Sequence, residues 1–187
     1  MIANLLQRTH EVHGEQMLYR FGNGLVVKTE HLGTKTSFRI LGLGSPQNTL
    51  LNYMVNFPDT IRNKDVFDPF AGSGVLGLMA LKVGAHSATF LDINPRAVEF
   101  QTENARLNHF MGEQFSCHEG DIRTFRPERQ FDWLFANPPF VPTPEGITDR
   151  GIALNCVPKH EVGEIRVIPA CLEPFVLDPE FGAFVLP

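Results

Sequence analysis

The chain has 187 residues, 43% hydrophobic, 20% charged and 10% aromatic, which excludes disordered, collagenous and disulfide-stapled classes. Its formal net charge of −5 argues against coating duplex nucleic acid by bulk electrostatics. No stretch approaches the roughly 20 apolar residues that span a bilayer, the first residues carry no secretory leader, and Cys117, Cys156 and Cys171 form no CxxC or CxxH motif, so a soluble cytoplasmic protein without a membrane or metal partner is expected.

Residues 17–29 place two β-prone runs on either side of Asn23-Gly24, a preferred hairpin pair, which predicts an N-terminal β-hairpin extension over residues 1–45. Residues 46–57 put Leu50, Leu51, Met54 and Val55 on one helical face. From residue 65 the rhythm becomes strand, loop, helix. A strand at 65–67 runs through a Gly-rich turn at 68–74 into an apolar helix at 75–83 that Gly84 ends. A second strand at 86–91 precedes Asn94-Pro95, an N-cap and a first helical residue, so a helix is expected at 95–107. Third and fourth strands are expected at 115–118 and 131–136, the fourth apolar enough to be central. Strands alternating with helices predict an α/β fold, a Rossmann-like doubly wound and mostly parallel sheet, over residues 46–187. The tail differs: ten of the 14 prolines lie from Pro127 to Pro187, and only 166–168 and 184–186 suggest strands after residue 150.

Four segments carry chemistry. Asp68-Pro69-Phe70-Ala71-Gly72-Ser73-Gly74 ends a strand in a carboxylate and opens a helix with small residues, which lets backbone approach a ligand closely. It lacks the GK[ST] ending of a triphosphate loop and is not GxGxxG; the acidic head suits a cationic ligand group such as an ammonium. Asp92, 24 residues on at the end of the next strand, is spaced to take the hydroxyls of a ribose, and competes with a plain capping role at the following helix. Gly120-Asp121-Ile122 could accept from the exocyclic amine of an adenine, with Ile122 or Ile93 against the ring. Asn137-Pro138-Pro139-Phe140 follows the fourth strand directly: an amide oxygen and a carbonyl held by two prolines can accept two N–H groups, and Phe140 can stack on a planar acceptor. His10-x-x-His13 lacks further ligands for a metal, and Arg123, Arg126 and Arg129 read as a solvated loop.

Together, DPFAGSG, LDINP, GDI and NPPF resemble the class I S-adenosylmethionine-dependent methyltransferases, and more narrowly the methyltransferase small domain group, which includes release-factor glutamine methyltransferases and RNA base N-methyltransferases. The resemblance covers roughly residues 46–145. It implies S-adenosyl-L-methionine as cofactor, its methionine end held by Asp68, Phe70 and the backbone of Ala71, Gly72 and Gly74. It implies the ribose at Asp92, the adenine at Asp121 and Ile122 with Ile93 also among the cofactor contacts, and an acceptor site at Asn137, Pro138, Pro139 and Phe140, of which Asn137 also borders the cofactor. The acceptor would be the planar NH2 of a protein glutamine or an RNA base; DNA amino-methyltransferases share the motifs, but the tail leaves no room for a target-recognition domain.

The chain also departs from that group. Only 47 residues follow Phe140, and the acidic-Gly stretch expected soon after it is missing, so residues 150–187 read as an atypical or truncated tail. Missing strands would leave a sheet edge exposed and invite a homodimer. Two other readings follow: a truncated module that binds the cofactor with little or no turnover, and a nucleotide-dependent oxidoreductase, which would give NPPF no role.

Overall fold

A computed structural model describes residues 7–31, 38–139, 146 and 183–185. The chain opens on β1 (Arg8–His13), β2 (Gln16–Phe21) and β3 (Val26–Glu30), a three-stranded antiparallel sheet in that order. The expected hairpin is β2–β3. At its turn Gly24 takes φ +82°, while the Asn23 Oδ1 accepts from the Leu25 amide at 3.1 Å. β1 was not anticipated: its residues are exposed except for the half-buried Arg8, so its apolar patterning is weak, and pairing with β2 from Arg8↔Phe21 to His13↔Gln16 makes it a strand.

Next come α1 (Ser45–Asn56), a short 3-10 turn (Pro58–Thr60), β4 (Asp65–Asp68), α2 (Val75–Val83), β5 (Ser87–Asp92), α3 (Pro95–Leu107), a second 3-10 turn (Gly112–Gln114), β6 (Phe115–Glu119), β7 (Trp133–Ala136) and β8 (Ala183–Val185). The second sheet has the order β6-β5-β4-β7-β8, and every neighbouring pair in it is parallel. This is the predicted Rossmann-like sheet. The expected strand at 184–186 is β8, shifted by one residue and paired with β7 from Leu134↔Ala183 to Ala136↔Val185. Tail chain therefore covers the edge of β7. The expected strand at 166–168, and the rest of the tail reading, lie outside the described residues.

β7 is buried on both faces, as a central parallel strand requires. Trp133 and Phe135 stack at 5.5 Å on the α1 side, with Tyr53 of α1 tilted against Trp133 at 5.7 Å. Leu134 and Ala136 point the other way, into a cluster with Phe67, Leu91 and Phe131. α2 lies so close to β5 that a Cβ on Gly77 would fall 2.3 Å from the Phe90 ring, so this helix position requires glycine. The main core joins both sheets: Tyr19, Phe21, Leu25 and Val27 share one cluster with Leu50, Leu51 and Met54 of α1 and Leu78 and Met79 of α2. Burying each such side chain is worth about 1.5–3 kcal/mol, so the N-terminal sheet is part of the fold's own core.

Among the described residues no helix is long and apolar enough to cross a membrane. No group of three His, Cys, Asp or Glu side chains among them could hold a metal; His13 is occupied by Glu11 at 3.1 Å.

Candidate active site

From β4 the chain steps outward to β5 and β6, then returns to the other side of β4 to form β7. The strand order reverses there, and in open parallel sheets the crevice beyond the carboxyl ends of the strands at such a point is where ligands bind. The pairing Asp68↔Phe90, Phe67↔Leu134 and Asp92↔Glu119 brings the carboxyl ends of four strands to one rim. Three of the four motifs singled out from the sequence therefore start at adjacent strand ends, β4, β5 and β7, and the fourth follows β6.

The loop after β4 is held by its own backbone. The Ala71 amide donates to the Leu91 carbonyl at 3.0 Å and the Gly74 amide to Ala71 at 2.6 Å. Gly72 and Gly74 adopt φ +49° and +82°, the left-handed region that a side chain disfavours. A Cβ on Gly72 would meet nothing within 4 Å, so this turn of backbone borders open space.

Asp92 joins two loops. Its Oδ2 accepts from the Gly72 amide at 2.7 Å and its Oδ1 from the Asn94 amide at 2.9 Å. The cap of α3 is Asn94, so Asp92 ties the two loops together without capping the helix, and each oxygen keeps a second lone pair. Burial raises its pKa, against the pull of those amides. The adjacent Ile93 is 39% exposed, a large apolar side chain left open at the rim.

Asp68 lies deeper. Its side chain is fully buried; Oδ2 accepts from the Gly77 amide in the first turn of α2 at 3.3 Å, and Oδ1 has no partner. Burial, with the Asp92 charge added, pushes its pKa up to about 8. Phe70 and Ile122 are half-buried against the Phe67–Leu91–Leu134–Ala136 cluster, forming an apolar side to the same rim.

Asp121 already has a cation. Its carboxylate accepts from Arg123 Nε at 3.0 Å and Nη2 at 2.5 Å, and from the Arg123 amide at 2.9 Å. That pairing holds the carboxyl below its ordinary pKa, and a ligand amine would have to share or displace the guanidinium. Arg123, Arg126 and Arg129 are all exposed, as a solvated loop requires. Arg129 is engaged too, donating to Ser87 Oγ at 2.7 Å at the opposite, amino-terminal end of β5.

At the end of β7, Asn137 is half-buried with a buried Oδ1 that has no hydrogen-bond partner among the described residues; Pro138 is buried and Pro139 half-buried. Phe140 lies outside the described residues. Sequence reading missed Gln101 and Asn104 of α3, both fully buried, whose side chains reach the carbonyls of Gly72 and Ser73 at 3.2 and 2.9 Å. The available signal was three amides at spacings of three and four in one helix.

Residues 45–148 match the model of the family described as conserved hypothetical protein 95. The chain belongs to this family. A candidate protein N5-glutamine methyltransferase of Methanocaldococcus jannaschii is similar to this family member, with 36% identity over 85 residues, 46% of this chain and 41% of that protein. A ribosomal protein L11 methyltransferase of Dichelobacter nodosus is 32% identical over 113 residues, 54% of this chain and 38% of that protein. The chain thus spans about two fifths of the length of these relatives. Among solved structures, a candidate methyltransferase complexed with SAH superposes with a TM-score of 0.55 at 19% identity, over 70% of this chain and 34% of that one, a likeness of fold.

Proposed function

We propose that this chain is an S-adenosyl-L-methionine-dependent N-methyltransferase acting on a planar amino group, that of a protein glutamine or an RNA base. The observation that carries the reading is the buried, partnerless Oδ1 of Asn137, presented at the end of β7 beside the Gly-rich loop of β4. A buried acceptor without a donor costs free energy, so its persistence fits a donor supplied by a ligand. The relatives' names, one of them a glutamine methyltransferase, support the same reading.

The residues fit the cofactor. The left-handed Gly72 bordering open space suits close approach of a ligand to backbone. Asp92, with free lone pairs beside the exposed Ile93, suits a ribose next to an aromatic ring. Asp68, a buried carboxyl with Oδ1 unpaired among the described residues, would ionise beside the ligand's cationic end, since an adjacent positive charge lowers a carboxyl's pKa. Bound there, S-adenosyl-L-methionine supplies a methyl carbon on a sulfonium, whose C–S bond breaks as the N–C bond forms, leaving the neutral thioether.

The chain's own residues supply orientation. An amide or aminopurine nitrogen is a poor nucleophile because its lone pair is delocalised. Accepting one N–H at Asn137 Oδ1 and the other at the Pro138 carbonyl turns that lone pair out of conjugation and toward the incoming carbon. The fixed dipoles also stabilise the positive charge that grows on nitrogen. The methylated nitrogen is then acidic enough to lose its proton to water without a strong base.

The test is calorimetry with S-adenosylhomocysteine, followed by transfer of labelled methyl from S-adenosyl-L-methionine to total protein and to total RNA. Binding plus label in glutamine side chains or in base amino groups is the expected result. No binding refutes the reading, and binding without transfer to either pool assigns the chain to a cofactor-holding module.

A further inference from the structure

α3 turns a line of amides toward two different backbones. Gln101, Asn104 and Asn108 lie at spacings of three and four, so they share one face of the helix. Asn104 accepts from the Lys28 amide at 2.8 Å and donates to the Lys28 carbonyl at 2.9 Å. Asn108 treats Val26 the same way, at 2.8 and 2.6 Å. Val26 and Lys28 alternate on β3, so two side chains occupy the place a further strand would take, and the edge of the N-terminal sheet is closed by a helix. Asn104 uses its second N–H on the Ser73 carbonyl at 2.9 Å, and Gln101 donates to the Gly72 carbonyl at 3.2 Å.

We infer that Gln101 and Asn104 are positioning residues for the cofactor loop, which fix the carbonyls of Gly72 and Ser73 and so set the shape that the ligand meets. The inference rests on the proposed cofactor site. Gly72 is gripped at both backbone groups, its amide by Asp92 and its carbonyl by Gln101. A left-handed turn bordering open space has no packing of its own to hold it, so these bonds decide its conformation. Gln101 makes its bond while leaving its own Oε1 buried without a partner. An apolar residue of the same length would fill this space without that penalty, so the amide serves the loop more than the core. Asn104 is braced on β3, which makes the N-terminal sheet a backing for the loop.

Two variants separate positioning from packing. Gln101→Met keeps the volume, removes the donor to Gly72 and removes the orphan acceptor. It is expected to melt at or above the wild-type temperature and to bind S-adenosylhomocysteine about tenfold more weakly, the effect of losing roughly one hydrogen bond. Asn108→Ala breaks the bonds to Val26 and one to the Asn104 carbonyl, and leaves both bonds to the loop after β4 in place. It is expected to lower the melting temperature while holding affinity within about twofold. Calorimetry and thermal melts of the two purified full-length variants read both quantities. Wild-type affinity in Gln101→Met overturns the inference with the proposed function intact. A wild-type protein that binds no S-adenosylhomocysteine overturns both.

Discussion

Asp68→Asn tests the electrostatics of the rim. The carboxyl is fully buried, accepts from the Gly77 amide, and feels the neighbouring Asp92 charge. Burial pushes its pKa to about 8 from an ordinary 3.8, so the folded protein keeps it protonated over a range in which the unfolded chain ionises it. The unfolded state then binds fewer protons, and stability falls as pH rises between the two values. The slope for one group is about 1.4 kcal/mol per pH unit, and the contribution is complete below pH 4 and gone above about pH 8. Asparagine has the shape of the protonated carboxyl, keeps an oxygen for the Gly77 amide and cannot ionise. The two proteins should therefore be equal in stability below pH 4, with the variant ahead by about 1.5 kcal/mol at pH 5. The lead should grow toward pH 8, approaching about 5 kcal/mol there. Urea unfolding at pH 5, 6, 7 and 8 measures this, because every other titrating group cancels in the difference. Parallel stability curves would show that Asp68 is ionised in the folded state and that burial does not govern it.

Three further outcomes follow from contacts at the same rim. Asn137→Ala should lower turnover by about two orders of magnitude or more, the loss seen when one transition-state dipole is removed, with S-adenosylhomocysteine affinity nearly unchanged in calorimetry; equal turnover would remove its acceptor role. Asp92→Ala leaves the Gly72 and Asn94 amides without their acceptor, so thermal melts should fall by about 4 °C or more and cofactor affinity should fall with them. Gly77→Ala places a methyl 2.3 Å from the Phe90 ring; overpacking of about 1–3 kcal/mol outweighs the ~1 kcal/mol gained in helix propensity, and the same change made in a Phe90→Leu background should cost measurably less by denaturant titration.

Much of this site is legible in the sequence because local rules and the global fold agree there. Asn94-Pro95 opens α3 as expected, with the Asn94 side chain accepting from the Arg96 amide at 3.0 Å. The Gly-rich turn, the Asp92 strand end and Asn137 come to one rim because parallel strands deliver their carboxyl ends to one side of a sheet. β1 was hidden because its residues face water and carry no apolar alternation. The partner of Asp121 was hidden for a different reason: a carboxylate and an arginine two residues apart read equally well as a turn or as a ligand site, and geometry alone selects the closed pair.

The buried amides of α3 were hidden most deeply, and they change how the N-terminal residues should be understood. Read by periodicity, Gln101, Asn104 and Asn108 belong on a solvent face, since amides are rarely buried without partners. Their partners lie on β3 and in the loop after β4, 76 and 31 residues away from Asn104, separations that no local pattern encodes. Lys28 also pairs with Glu103 on α3, and the buried Glu30 accepts from both Arg96 and the Ile40 amide. The Asn94 side chain donates to the Phe38 carbonyl, so the chain leaving β3 is tied down beside the Asp92 turn as well. A separate N-terminal extension would need only an apolar face to dock; this one bonds α3 by backbone and charge, holds Asn94 beside the Asp92 turn, and reaches the Ser73 carbonyl of the Gly-rich loop through Asn104. Because Tyr19, Phe21, Leu25 and Val27 share one core with α1, α2 and the β5–β4–β7 sheet, its deletion should lower the stability of the whole domain, and weakened ligand binding should separate from stability only in point variants, such as Gln101→Met, that leave that core intact.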